Sequence, residues 1–136
     1  MVGRRCYCGE CHVSTRSPAL TVAYCHCADC RRWTGAAVPA FAAFASLDVT
    51  GHTNTKRHPS GVERVNCKKC GSPLSAVFPY LPDQIYVPIG ILDDIDAHAP
   101  QLHCHAASQP SWLHLPDGLA REDASARTRL AEAGDD

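Results

Sequence analysis

The chain has 136 residues, with 13 Lys and Arg against 14 Asp and Glu for a formal net charge of -1. That length fits one domain, and the balance argues against a surface built to neutralise nucleic-acid phosphates. Hydrophobic residues make up 45%, yet no run approaches the roughly 18 apolar residues of a membrane span, so neither nucleic acid nor membrane is an expected partner. The segment Met1-Val2-Gly3-Arg4-Arg5-Cys6 carries basic residues with no apolar stretch behind them, so the expectation is a cytoplasmic, reducing setting rather than secretion. The spacing then predicts a short helical turn over 29–34, stopped by Gly35 and followed by Pro39. Strands are expected over 38–44, 62–66, 75–78 and 84–91, where β-branched and aromatic residues lie between Gly, Pro and Asp punctuation. Pro88 should demote the last to an edge strand or bulge. With no long amphipathic helix and no repeat of 20–50 residues, the fold class is mainly β. The domain is expected over 1–121. The charged, Ala-rich residues 122–136 read as a helical or disordered tail without chemistry.

Nine Cys and eight His are the unusual content. Nine is odd, and Cys25, Cys27 and Cys30 fall within six residues and cannot all bridge one another, so metal is a better reading than disulfides. Cys6-Tyr7-Cys8-Gly9 and Cys67-Lys68-Lys69-Cys70-Gly71 are each a close thiol pair followed by a Gly. A Gly with positive φ lets backbone N–H groups turn toward thiolates, so Cys6, Cys8, Cys67 and Cys70 are expected to make a closed four-sulfur site of the kind zinc occupies structurally, with independent redox use of the CxxC pair as the alternative. Lys68 and Lys69 stand where they could offset its negative charge. Cys25-His26-Cys27-Ala28-Asp29-Cys30 offers three thiols from one loop, and three protein ligands with one open position are what catalytic zinc requires. His26, flanked by two ligands, is expected to point away. Cys11, Cys104, His103 or His105 could instead close the shell, and that alternative stays open. So does the role of Arg31 and Arg32, which could balance thiolate charge, reach an anionic substrate or remain solvated.

Three cysteine motifs occur in a fixed order: Cys6-x-Cys8-Gly9, Tyr24-Cys25-His26-Cys27-Ala28-Asp29-Cys30-Arg31-Arg32 and Cys67-x-x-Cys70-Gly71-Ser72-Pro73-Leu74. Gly90-x-Leu92-Asp93-Asp94, Trp112-Leu113 and Asp117-Gly118-Leu119 follow them. Together they resemble the glutathione-dependent formaldehyde-activating enzyme (GFA) family over residues 3 to 121. The resemblance implies an Mss4-like β-sheet fold with zinc knuckles and short helical turns. It also implies two zincs per chain: a structural one on Cys6, Cys8, Cys67 and Cys70, and a catalytic one on Cys25, Cys27 and Cys30. Cys11 and Cys104 depart from the family pattern and read as buried small hydrophobes or as neighbours of the open site.

The activity implied is that of a carbon–sulfur lyase. A glutathione-like thiol adds reversibly to a small aldehyde, giving an S-hydroxymethyl-type adduct. His is the default proton carrier near neutrality. His103 and His105, two apart, would share one strand face. Asp29 is expected to cap the turn that follows it, and Trp33 and Trp112 to pack in the core. Two other readings compete. One is a non-catalytic zinc-binding interaction module of the same fold; the other is a methionine sulfoxide reductase-like redox enzyme, which ordinarily carries two CxxC pairs. The thiol, the electrophile and the oligomeric state, a homo-oligomer included, are left open by the sequence.

Overall fold

The structure is a computed structural model and describes residues 2–124. Eleven strands form two sheets among these residues. In chain order they are β1 (Val2–Arg5), β2 (His12–Thr15), β3 (Thr21–Cys25), β4 (Ala40–Phe44), β5 (Asp48–Thr50), β6 (Thr53–Arg57), β7 (Glu63–Cys67), β8 (Pro73–Val77), β9 (Ile85–Pro88), β10 (Leu102–Cys104) and β11 (Ala120–Arg121). The small sheet has the order β1-β2-β5, and the large one β11-β10-β3-β4-β9-β8-β7-β6. A helix, α1 (Ala28–Thr34), follows β3 and ends at Gly35 with φ 75. The mainly β class and the short helical turn are therefore as the sequence predicts.

Strand β4 explains how the core divides. All five of its residues are buried, as expected of a central strand covered on both faces. Ala42 and Phe44 join Val13, Val22, Leu74 and Val87 between the two sheets. Phe41 and Ala43 face the opposite way and pack with Cys30, Leu81, Tyr86 and Leu102 under α1. This is the period-2 alternation of a strand, and fully burying one side chain such as Phe44 is worth roughly 1.5–3 kcal/mol.

Two expectations need correction. Strand β9 is not at an edge; it lies between β4 and β8, and Pro88 is its last residue, opposite Phe41. Placing Pro at the strand end spares the ladder the N–H it lacks, and a 3-10 turn, Ile89–Ile91, replaces the rest of the expected strand. The start of the expected tail also belongs to the fold. Just before it, within the expected domain, Ala120–Arg121 pairs parallel to β10, and the carbonyls of Glu122 and Ala124 accept from the N–H groups of Ala106 and His105. The expected helical or disordered tail otherwise falls on 125–136, which lie outside the described residues.

Candidate functional site

The first knuckle follows β1 and the second follows β7. Gly9 and Gly71 have φ of 84 and 81, the left-handed turn that aims amides at sulfur. The N–H of Cys11 donates to Cys6 Sγ at 3.3 Å and that of Cys70 to Cys67 Sγ at 3.4 Å. The sulfurs of Cys6, Cys8, Cys67 and Cys70 all lie within 4.8 Å of one another, with Cys6 to Cys8 at 3.6 Å and Cys8 to Cys67 at 3.8 Å. A tetrahedron of Zn–S bonds near 2.3 Å sets sulfurs about 3.8 Å apart, so the donor set fits zinc. Ser72, quoted in the motif without a role, joins the two knuckles. Its Oγ accepts from the Tyr7 N–H at 3.1 Å, and its hydroxyl lies 3.1 Å from Cys70 Sγ. Donation by that hydroxyl lowers the Cys70 thiol to about 5.

The second cluster lies where β3 runs into α1. Cys25 ends the strand, Cys27 caps the helix, and Cys30 is buried in its first turn. The cap is Cys27 Sγ, which accepts the Cys30 N–H at 3.3 Å. Asp29, expected in that role, is exposed inside the first turn, because the helix begins two residues earlier than a cap at 29 would place it. The three sulfurs also lie within 4.8 Å of one another. The Cys25 thiol donates to Cys27 Sγ at 3.4 Å, which with Cys30 holds Cys27 down to about 2 and pushes Cys25 up. Three crowded thiols can share one negative charge in this way, but a cation is what lets all three ionise together. Thiolates suit zinc, so this donor set fits it too. Among the described residues, no other Cys, His, Asp or Glu joins the trio.

An apolar cavity of about 50 Å³ borders the trio. Cys25, Cys27 and Cys30 form one wall, facing Phe41, Phe78, Leu81 and Tyr86, with Tyr80, Cys104 and His105 also lining it. Cys104 is buried, in register with Cys25 on the neighbouring strand. Cys11 is buried beside the other cluster instead, its thiol donating to the His52 carbonyl at 3.2 Å. Burial, with its bond to Cys67, pushes the Cys11 thiol up to about 12.

The histidines are arranged differently from the sequence reading. His103 and His105 do not share a face. His103 lies within β10 and is fully buried, whereas His105 lies past the strand end at φ 54, which turns it into the cavity. His26 points away from the sulfurs as expected, and its Nε2 lies 2.8 Å from His103 Nδ1. Burial and the neighbouring His103 lower His26 to about 4. His103 Nε2 in turn donates to Asp117 Oδ2 at 2.8 Å. This pairing escaped the sequence reading, although Asp117-Gly118-Leu119 was in view, because no spacing rule links residues 26, 103 and 117.

Trp33 packs as expected, parallel to Phe41 at 6.1 Å, but Trp112 is 67% exposed and is not a core residue. Arg31 is held by the Ser108 carbonyl at 2.8 Å, and Lys68 and Lys69 are exposed.

A β-sheet protein with one four-thiol cluster and a second, three-thiol cluster beside a cavity belongs to a narrow class. Residues 1–108 match the glutathione-dependent formaldehyde-activating enzyme family, and the chain belongs to that family. Trp112-Leu113 and Asp117-Gly118-Leu119, read as part of the resemblance, lie beyond the matched span. A solved structure of a Rhodobacter sphaeroides protein has the same fold, with a TM-score of 0.54 at 18% identity, covering 88% of this chain and 97% of that one. No curated protein matches the chain. Among the described residues no helix is long and apolar enough to cross a membrane.

Proposed function

We propose that the chain is a zinc-dependent carbon–sulfur lyase that joins a glutathione-like thiol to a small aldehyde, reversibly, in a cytoplasmic setting. Cys25, Cys27 and Cys30 are its catalytic ligands, and Cys6, Cys8, Cys67 and Cys70 hold a structural zinc. The observation that carries this reading is the cavity, which is walled on one side by all three residues of the trio. Zinc on the trio would supply a Lewis acid that keeps an approaching thiol ionised at neutral pH.

In the reaction the thiol sulfur forms a bond to the carbonyl carbon, the C=O π bond breaks, and the thiol proton ends on the new hydroxyl. An ordinary thiol is only about 3% ionised at pH 7, so ionisation alone offers at most about thirty-fold. The remainder must come from holding sulfur and carbonyl together. Phe41, Phe78, Leu81 and Tyr86 keep water from the aldehyde and admit only a small, uncharged group. Among the lining residues His105 alone carries an imidazole, which suits it to move the proton from sulfur to oxygen. Its left-handed backbone is a conformation that non-Gly residues adopt at a cost and that recurs at active sites.

The test is adduct formation from glutathione and formaldehyde, followed by NMR exchange and combined with metal analysis. Two zincs per chain and loss of catalysed exchange in Cys27→Ser are expected. One zinc per chain, or unchanged exchange in that variant, sinks the reading.

A further inference from the structure

His26 stands between two of the three thiols, yet its ring faces the protein interior. His26 and His103 are both fully buried, and a buried imidazole nitrogen left unbonded costs about 1–3 kcal/mol; His26 Nδ1 has no partner among the described residues, so the other three ring nitrogens carry the bonding that fixes the two rings. The bonds run outward in a line, from His26 Nε2 to His103 Nδ1 at 2.8 Å and from His103 Nε2 to Asp117 Oδ2 at 2.8 Å. A carboxylate only accepts, so the His103 proton sits on Nε2, and its Nδ1 accepts from the Nε2–H of His26. The Leu119 N–H holds the other oxygen of Asp117 at 3.0 Å, and Tyr24 stacks on His103 with ring centres 4.8 Å apart. Backbone bonds hold the same loop on both sides, with His26 N–H donating to the Cys104 carbonyl of β10 and Cys25 N–H to that of Pro39, just before β4. Neighbouring side chains of an extended segment point opposite ways. Locking His26 inward therefore turns Cys25 and Cys27 toward the cavity.

We propose that Asp117, His103 and His26 are positioning residues that set the metal affinity of the three-thiol site, acting through the loop that carries Cys25 and Cys27. This rests on reading that trio as a metal site. It assigns a role to Asp117, which lies beyond the span matched to the family and whose side chain is 28% accessible, so that it can be changed without opening the core.

The experiment loads the full chain with cobalt(II), whose visible absorption reports tetrahedral thiolate coordination, and measures both equivalents against a competing chelator. Asp117→Ala should weaken one equivalent about tenfold, the low end of what loss of a ligand's own hydrogen-bond partner costs, since Asp117 acts through His103 and His26, and leave the other unchanged. Asp117→Asn should restore most of that affinity, because an amide can hydrogen-bond His103 with either end. Arg57→Ala is the control. It removes the ion pair from Arg57 to Glu63 at 2.6 Å, at the opposite edge of the large sheet, leaves the line intact, and should alter neither site. Equal weakening of both sites by Asp117→Ala, no weakening at all, or failure of Asp117→Asn to restore affinity overturns the proposal. A wild-type chain that takes only one equivalent instead removes the second metal site, and the proposed function fails with it.

Discussion

Cys8 and Cys67 approach to 3.8 Å across 59 positions of chain, whereas Cys25, Cys27 and Cys30 fall within six consecutive residues. The same donor atom thus serves two opposite architectures. Closing a loop of about 60 residues removes roughly 4 kcal/mol of unfolded-chain entropy on the estimate used for cross-links, and a loop of about five residues roughly 2 kcal/mol. A metal at the four-thiol cluster therefore does more for folding, and the donors there enclose it. The trio ties little chain together and borders a cavity, so a metal held there would be open to chemistry.

The largest expected effect breaks the comparison at its structural end. Cys67→Ser should lower the thermal midpoint by about 15 °C or more. Losing only ~5 kcal/mol of the ~10–16 kcal/mol a structural zinc can supply is enough, at roughly 3 °C per kcal/mol; calorimetry with and without chelator reads this. Cys27→Ser should do the reverse, with a thermal midpoint within a few degrees of wild type and thiol–aldehyde exchange down by about thirty-fold, the ceiling on the share due to ionisation. If the two variants behave alike, the division of labour is wrong.

A smaller effect sharpens the cavity side. Phe78 is half-buried on its wall, and Phe78→Ala should favour longer aliphatic aldehydes over formaldehyde by about tenfold in kcat/KM, the discrimination typical of about one methylene. The smallest tests the link between the clusters. Trp33 on α1 donates its indole N–H to Asn66 Oδ1 at 3.0 Å, and Asn66 donates to the Gly71 carbonyl of the second knuckle at 3.0 Å. Trp33→Phe should cost about 1 kcal/mol of stability, one net hydrogen bond, with both metal occupancies unchanged on elemental analysis.

Both sulfur sets were legible in the sequence because knuckle chemistry is local. Two thiols and a Gly within five positions specify their own turn, and Gly9 and Gly71 adopt it. Seven strands went unread: β1, β2, β3, β5, β6, β10 and β11. Several are short, such as Asp48–Thr50 and Ala120–Arg121, and exist only because a partner strand completes their hydrogen bonds. His105 was misplaced because its two-residue spacing from His103 was read as a shared strand face, when β10 ends at Cys104. Trp112 was misplaced because aromatic character is a poor guide to burial for one residue in an irregular segment.

Residue type and spacing by themselves determined which atoms could bind metal, since ligand chemistry is a property of each side chain and a close pair needs only a turn. They also determined the mainly β class. Only the tertiary structure decided that the trio borders an apolar cavity, that His105 enters it, and that His26, His103 and Asp117 form one hydrogen-bonded line from the interior to the surface. Those relations join segments 77 and 14 positions apart, and they depend on which strands pair across the large sheet, a choice made by the packing of the whole core.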